Sequence, residues 1–176
     1  QAMKPTVGLI GLGAMGSGMA QSLRRSGFEL KVFDVRAGVA EAFAQGGGSA
    51  CASAAELAQT SDVVVSVVVN AAQTEALLFG SGGVAAAMRK GSVFVMCSTV
   101  DPNWSVALEG RLAERGLLYL DAPISGGAAR AASGQMTMMT AGRPEAYDKC
   151  GAVLDAMAAK VYRLGDRAGA ASKVKI

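Results

Sequence analysis

The residues of this chain best placed to do chemistry are few, and three of them have no side chain. Gly11, Gly13 and Gly16 stand in the spacing G-x-G-x-x-G within "VGLIGLGAMGSGMAQSL", residues Val7 to Leu23. Glycine costs more to order than any other residue, so three in six positions need a reason. The first permits a tight turn. The second lets a ligand come against the backbone, and the third lets a helix lie close to a strand. The helix that opens beyond such a turn offers unpaired N–H groups and a partial positive charge, which suit a pyrophosphate. Gly11, Leu12, Gly13, Ala14, Met15 and Gly16 are therefore the candidate phosphate cradle. A carboxylate, Asp34, closes the next apolar run, "ELKVFD". There it can accept hydrogen bonds from the hydroxyls of an adenosine ribose, and it would repel a 2′-phosphate. Arg36 stands near enough to pair with such a phosphate. The pattern implies NAD as the cofactor and leaves NADP possible.

What is missing narrows the chemistry further. The 176 residues contain no histidine. That excludes a Ser-His-Asp triad, a histidine proton relay and a histidine-ligated metal within them. Cys51, Cys97 and Cys150 lie far apart and in no metal-binding spacing. They read as reduced, buried thiols of a cytoplasmic protein, and no metal site is expected. The net charge is +3, with scattered Lys and Arg and only 5% aromatic residues, so there is no nucleic-acid footprint. The longest apolar runs, such as "DVVVSVVVN", are too short to span a bilayer, so no membrane partner is expected. Gln1 and Ala2 precede the first methionine, Met3, and stay outside the fold argument.

These candidates need elements to hold them. Apolar runs without alternation predict strands over 6–11, 29–34, 62–69, 92–97 and 117–123, with further strands over 135–142 and 160–165. Between them the spacing predicts helices over 14–26, 39–45, 53–59, 71–79, 82–89, 102–115 and 144–159. Another helix begins near Gly169. Ser53 and Glu56 have capping-box spacing, and Pro102 suits a first helical turn. Such alternation is the pattern of an α/β, Rossmann-type doubly wound fold: a mostly parallel sheet with helices on both faces. Residues 3–165 form the expected dinucleotide-binding domain, and 166–176 the start of an interdomain helix. The chain stops at "GAASKVKI", in the first turns of that helix, which predicts a further domain beyond it. Val69, Asn70 and Thr99 follow strands at the carboxyl edge of the sheet, where ligands of such folds collect. Met136, Met138 and Met139 read as core filler.

Three blocks carry a resemblance. "GLIGLGAMGSGMAQSL" contains the pattern GLGxMGxxMAxxL at Gly11 to Leu23. "DAPISGGAARAASGQ" spans Asp121 to Gln135, and "GAASKVKI" spans Gly169 to Ile176. In this order they resemble the 3-hydroxyisobutyrate dehydrogenase-like family of β-hydroxyacid dehydrogenases. The resemblance implies hydride transfer from a hydroxyl of a small hydroxy acid to NAD. It implies that Ser125, Gly126 and Gly127 grip the substrate carboxylate and that Ser98 and Thr99 lie near the nicotinamide. It implies a proton-transfer lysine on the interdomain helix, Lys175 by position, with Lys173 as the other register. An all-helical second domain and a homo-oligomer also follow from it. "VVVNAAQTEALLFG" and "LLYLDAPISGGAARAASG" resemble the subgroup that acts on L-threonate. L-threonate is thus the leading expected substrate, followed by 3-hydroxyisobutyrate or tartronate semialdehyde. Outside the class stands a dinucleotide-binding module without catalysis. Taken alone, Ser125–Gly127 reads first as an ordinary turn, Lys175 as a solvated helix residue and Arg130 as a surface cation rather than a further contact for a polyhydroxy acid. Two positions depart from the family pattern: Val68 and Val69 replace a common Leu-Pro, and Met96 replaces a common Asp.

Overall fold

The computed structural model describes residues 4–175. The domain boundary expected at Met3 and the final residue Ile176 lie outside the described residues. In chain order the elements are β1 (Val7–Ile10), α1 (Ala14–Arg25), β2 (Leu30–Phe33), α2 (Val39–Ala44), β3 (Ser49–Ala50) and α3 (Ala54–Gln59). Then come β4 (Val63–Ser66), α4 (Ala71–Phe79), α5 (Val84–Ala87), β5 (Val93–Met96), α6 (Pro102–Glu114) and β6 (Leu118–Asp121). The last are β7 (Ile124–Ser125), α7 (Gly127–Ser133), β8 (Met136–Gly142), α8 (Pro144–Met157), β9 (Ala158–Arg163) and α9 (Ala170–Lys175).

The sheet runs β3-β2-β1-β4-β5-β6-β8-β7, with β9 paired to β8. Strands β1 to β6 are parallel. β8 runs antiparallel to β6 and β7, and parallel to β9. Between β3 and β4 the chain crosses from one side of β1 to the other, so the topological switch point lies between β1 and β4. The register places Phe33, Ile10, Ser66, Met96 and Asp121 in one row across the sheet. That row is the carboxyl edge, from which the candidate site loops leave.

Both faces of the sheet are covered, which is why its strands are apolar without alternation. One face packs Leu9, Val32, Val65 and Val95 against Met19 and Leu23 of α1 and Leu154 of α8. The other packs Ile10, Val64, Phe94 and Met96 against Leu57, Leu78, Leu108 and Leu112. Phe94 is fully buried and stacked on Tyr119, with ring centroids 6.5 Å apart. Met136 and Met138 are fully buried, as core filler should be, and Met139 is half-buried. The three cysteines are buried and unpaired. Burial pushes the thiols of Cys97 and Cys150 up to about 12, so neither is a thiolate at neutral pH. Ser53 accepts from the Glu56 N–H at 3.1 Å, and Glu56 reaches back to the N–H of Ala52 rather than of Ser53. Pro102 opens α6 behind a cap from Asp101.

Five elements depart from the expectation. β3, β7 and α7 occupy stretches read as turn or loop. The helix expected over 82–89 shrinks to Val84–Ala87, because Met88 is already extended. The helix expected to reach 159 stops at Met157, and β9 takes over at Ala158. No helix among the described residues is long and apolar enough to cross a membrane. Nor do the described residues gather three or more His, Cys, Asp or Glu that could hold a metal ion. Replacing Phe94 by Ala empties the centre of the second face and should cost about 3–5 kcal/mol of stability, read as a lower urea midpoint with an unchanged slope.

Candidate active site

The glycine turn shows why each of its three positions lacks a side chain. Gly11 sits at φ +103°, and a Cβ there would lie 2.5 Å from the carbonyl oxygen of Val67. Gly16 is buried in the first turns of α1, where a Cβ would lie 1.8 Å from the carbonyl oxygen of Gly11. Gly13 has an ordinary extended backbone and precedes the first residue of α1. A Cβ at Gly13 would meet nothing within 4 Å. The fold therefore requires the first and third glycines, while the second leaves an open face at a helix start. That opening, which a side chain would fill, offers the free N–H groups of a helix start to an anion such as a pyrophosphate. Leu12 points into the core, Ala14 is exposed, and Met15 packs partly against the core.

Asp34 stands just past β2, beside this turn. Its Oδ2 accepts from the Leu12 N–H at 2.7 Å and from Arg36 Nη2 at 3.1 Å. Its Oδ1 accepts from the Arg36 N–H at 2.9 Å and from Arg36 Nε at 3.0 Å. The Arg36 guanidinium, helped by the two backbone donors, holds the carboxyl at about 2 against the ordinary 3.8. Arg36 also donates to the Leu12 carbonyl. Asp34 thus braces the glycine turn. Both its oxygens are engaged, so any further donor must share them or displace Arg36.

Gly11, Gly13 and Asp34 line one cleft with Val67, Val69 and Gln73. Val35 and Val69 also border it and are 87% and 79% exposed. Val35, Val67 and Gln73 escaped the sequence reading. An apolar residue directly after the strand-end carboxylate, Val35, is the one local signal the sequence offers for them. Asn70 lies at the rim, where its Oδ1 accepts from the Gln73 N–H at 2.9 Å and starts α4. Gln73 returns an acceptor to the Val69 N–H at 2.9 Å. Ser98 donates to the Val68 carbonyl and ties the β5 loop to the β4 loop, leaving Thr99 exposed beyond it.

Farther along the same edge, Ser125 belongs to β7 and pairs with Thr137 of β8. Gly126 and Gly127 have φ of +136° and +75°, which side chains would strain. They lead into α7, whose first N–H groups have no partner within the helix. Arg130 is exposed on α7. Lys175 is half-buried on α9, and Lys173 is exposed. Two buried carboxylates that the sequence did not single out, Asp121 and Glu109, hold the start of that helix. Their partners lie far away in the chain, so no local pattern announces them.

Residues 6–165 match the model of a family described as the NAD binding domain of 6-phosphogluconate dehydrogenase. The chain belongs to that family. A similar protein is the L-threonate dehydrogenase of Cupriavidus necator, 59% identical over 174 residues that cover 99% of this chain and 59% of that one. The L-threonate dehydrogenase of Pectobacterium atrosepticum is 42% identical, over 97% of this chain and 56% of that one. Among solved structures, that of a 3-hydroxyisobutyrate dehydrogenase from Salmonella typhimurium superposes with a TM-score of 0.92 at 41% identity. It is matched over 97% of this chain and 59% of that one. The chain therefore spans less than two thirds of these relatives. They bear out the resemblance to the 3-hydroxyisobutyrate dehydrogenase-like family, the Rossmann-type fold and a nicotinamide dinucleotide as the cofactor.

Two measurements probe this end of the site. Gly13→Ala should change stability by less than about 1 kcal/mol yet weaken NAD binding, whereas Gly16→Ala should cost about 1–3 kcal/mol or more by overpacking. Calorimetric titration and urea unfolding of both variants separate the two roles. The second concerns acid. Because the folded carboxyl of Asp34 lies below its unfolded value, its contribution is present above the ordinary 3.8 and is lost as pH falls toward about 2. Urea midpoints measured across that window should fall less steeply for Asp34→Asn than for the parent chain.

Proposed function

We propose that this chain is the dinucleotide-binding part of a dehydrogenase that oxidises a hydroxyl of a small sugar acid, L-threonate first among the candidates. The observation that carries the reading is a shared edge. The glycine turn, the Ser125–Gly127 loop and the start of the lysine helix all lie at the carboxyl ends of β1 to β6. Bound NAD supplies the hydride acceptor. The chain supplies the rest. Ser125 Oγ and the backbone N–H groups of Gly126 and Gly127 hold the substrate carboxylate. The Lys175 amine, when neutral, takes the hydroxyl proton, and its ammonium returns one in the reverse direction. Val69, Asn70 and Thr99 border the nicotinamide end. Asp34 favours NAD over NADP, because a carboxylate at the end of β2 would repel a 2′-phosphate.

Residues beyond these, in an all-helical part, would close the site and build a homo-oligomer. The unpaired buried thiols suit the reducing cytoplasm. The 3-hydroxyisobutyrate reading comes second, favoured by the name of the solved Salmonella relative.

The test is a panel of four-carbon and shorter hydroxy acids, given with NAD and with NADP to the protein that carries this chain. L-threonate with NAD should give the highest kcat/KM. Lys175→Ala should lower kcat by about 10²–10⁴-fold, and normal turnover by that variant would reassign the base. NAD binding without reduction by any acid would leave a binding module.

A further inference from the structure

Asp121 is a fully buried carboxylate that the chemistry above does not use. It ends β6 and lies in the row of strand-end residues, beside Met96. Its Oδ2 accepts from the backbone N–H of Gly169 at 3.0 Å and of Ser172 at 2.9 Å. Its Oδ1 accepts from Ser172 Oγ at 2.6 Å. All these donors belong to the start of α9.

A helix begins with N–H groups that have no internal partner, and the residue before it ordinarily caps one with its side chain. Here that residue is Gly169, which has none. Its φ is +102°, and a Cβ would lie 2.8 Å from Val106 Cγ2, so a capping residue is barred from the position. The cap comes instead from the sheet. A second buried carboxylate, Glu109 of α6, accepts from the Ala168 N–H at 3.1 Å and from Arg167 Nε at 3.0 Å. Negative charge at a helix start also complements its dipole. Residues 167–172 are thus pinned to β6 and α6 before the helix reaches Lys175. Lys175 lies three residues past Ser172, about 4.5 Å along the axis at 1.5 Å per residue.

Asp121 has two neighbours of consequence. Along the chain, Ala122 and Pro123 lead directly to Ser125, Gly126 and Gly127. Through its carboxylate, it grips the helix of the lysine. One side chain therefore sets how the anion-binding loop and Lys175 stand to each other. We infer that Asp121 is the positioning residue for Lys175, acting through the first turn of α9. The inference rests on the reading of Lys175 as the base.

An Asn at 121 can keep the geometry. Its oxygen takes the two N–H groups, and its amide donates to Ser172 Oγ, which can accept. An Ala cannot. Asp121→Ala should therefore lower kcat about 100-fold, as a misplaced catalytic group does, with KM for NAD changed little. Asp121→Asn should restore most of it. In a Lys175→Ala background, Asp121→Ala should add less than about threefold further loss, since both changes remove one function. An added loss as large as in the parent, or a KM for NAD that rises in step, would show a merely structural role and overturn the inference. If Asp121→Ala does not fold, Ser172→Ala takes its place, with a smaller loss of the same pattern.

Hydrogen exchange in this 176-residue chain reads the anchor without any turnover. Amides of residues 169–175 should exchange faster in Asp121→Ala and not in Asp121→Asn, while those of α1 stay as they were. Unchanged exchange at 169–175 overturns the anchor itself. Normal turnover by Lys175→Ala overturns the base assignment and the positioning role with it, and exchange still decides the anchor.

Discussion

The candidate site depends on how closely α1 approaches the end of β1. At Gly16 the helix backbone lies so near the Gly11 carbonyl that a single methyl group would collide with it. This closeness lets the chain turn within a few residues from a buried strand into a buried helix. It also aims the free N–H groups of α1 out over the sheet edge. A wider gap would leave the turn floppy and the helix start aimed elsewhere. The same edge carries the other strand ends because the parallel register brings Ile10, Ser66, Met96 and Asp121 into line. Everything that faces a ligand is hung from that row.

The buried or half-buried carboxylates of the edge serve the backbone. Asp34 holds the Leu12 N–H, Asp121 holds those of Gly169 and Ser172, and Glu109 holds that of Ala168. A buried carboxylate is tolerable only when its lone pairs are filled, and backbone donors at turns and helix starts fill them well. The arrangement converts three potentially costly charges into braces for the phosphate turn and the lysine helix. The start of the helix that carries Lys175 is thereby held from two sides, by β6 and by α6.

Much of this was legible in the sequence, and the reasons for success and failure are physical. β1, β4 and β5 are buried on both faces and so read as continuous apolar runs. The glycine spacing with Asp34 after the second run marked the cofactor end. β3 and β7 were missed because two residues each carry no periodicity. α7, "GAARAAS", is mostly Gly and Ala, and its short side chains leave no apolar stripe to find. The pairing of β8 with β6 is antiparallel, and alternation in one strand does not reveal the direction of its neighbour. Asp121 stands within a motif, yet its contacts lie 48 and 51 positions away. Such a partner is invisible to any local rule.

α7 explains how the two ends of the site are kept in register. Gly18 of α1 lets α7 come so close that a Cβ would lie 2.6 Å from the Ala132 nitrogen. Ser22 Oγ donates to the Ala131 carbonyl at 2.7 Å, and Arg25 donates to that of Ala132 at 2.9 Å. The Ala131 carbonyl also takes the N–H of the C-cap residue Gly134 at 3.4 Å, and a cation at this helix end suits its dipole. The helix that opens at the phosphate turn therefore closes the helix that opens at Gly127. A shift of α1 on binding a dinucleotide cannot leave the Ser125–Gly127 loop behind, because backbone contact and the hydrogen bonds of Ser22 and Arg25 join the two. With Asp121 tying the other side of that loop to the lysine helix, the glycine turn, the Ser125–Gly127 loop and Lys175 form one mechanical chain across the sheet edge.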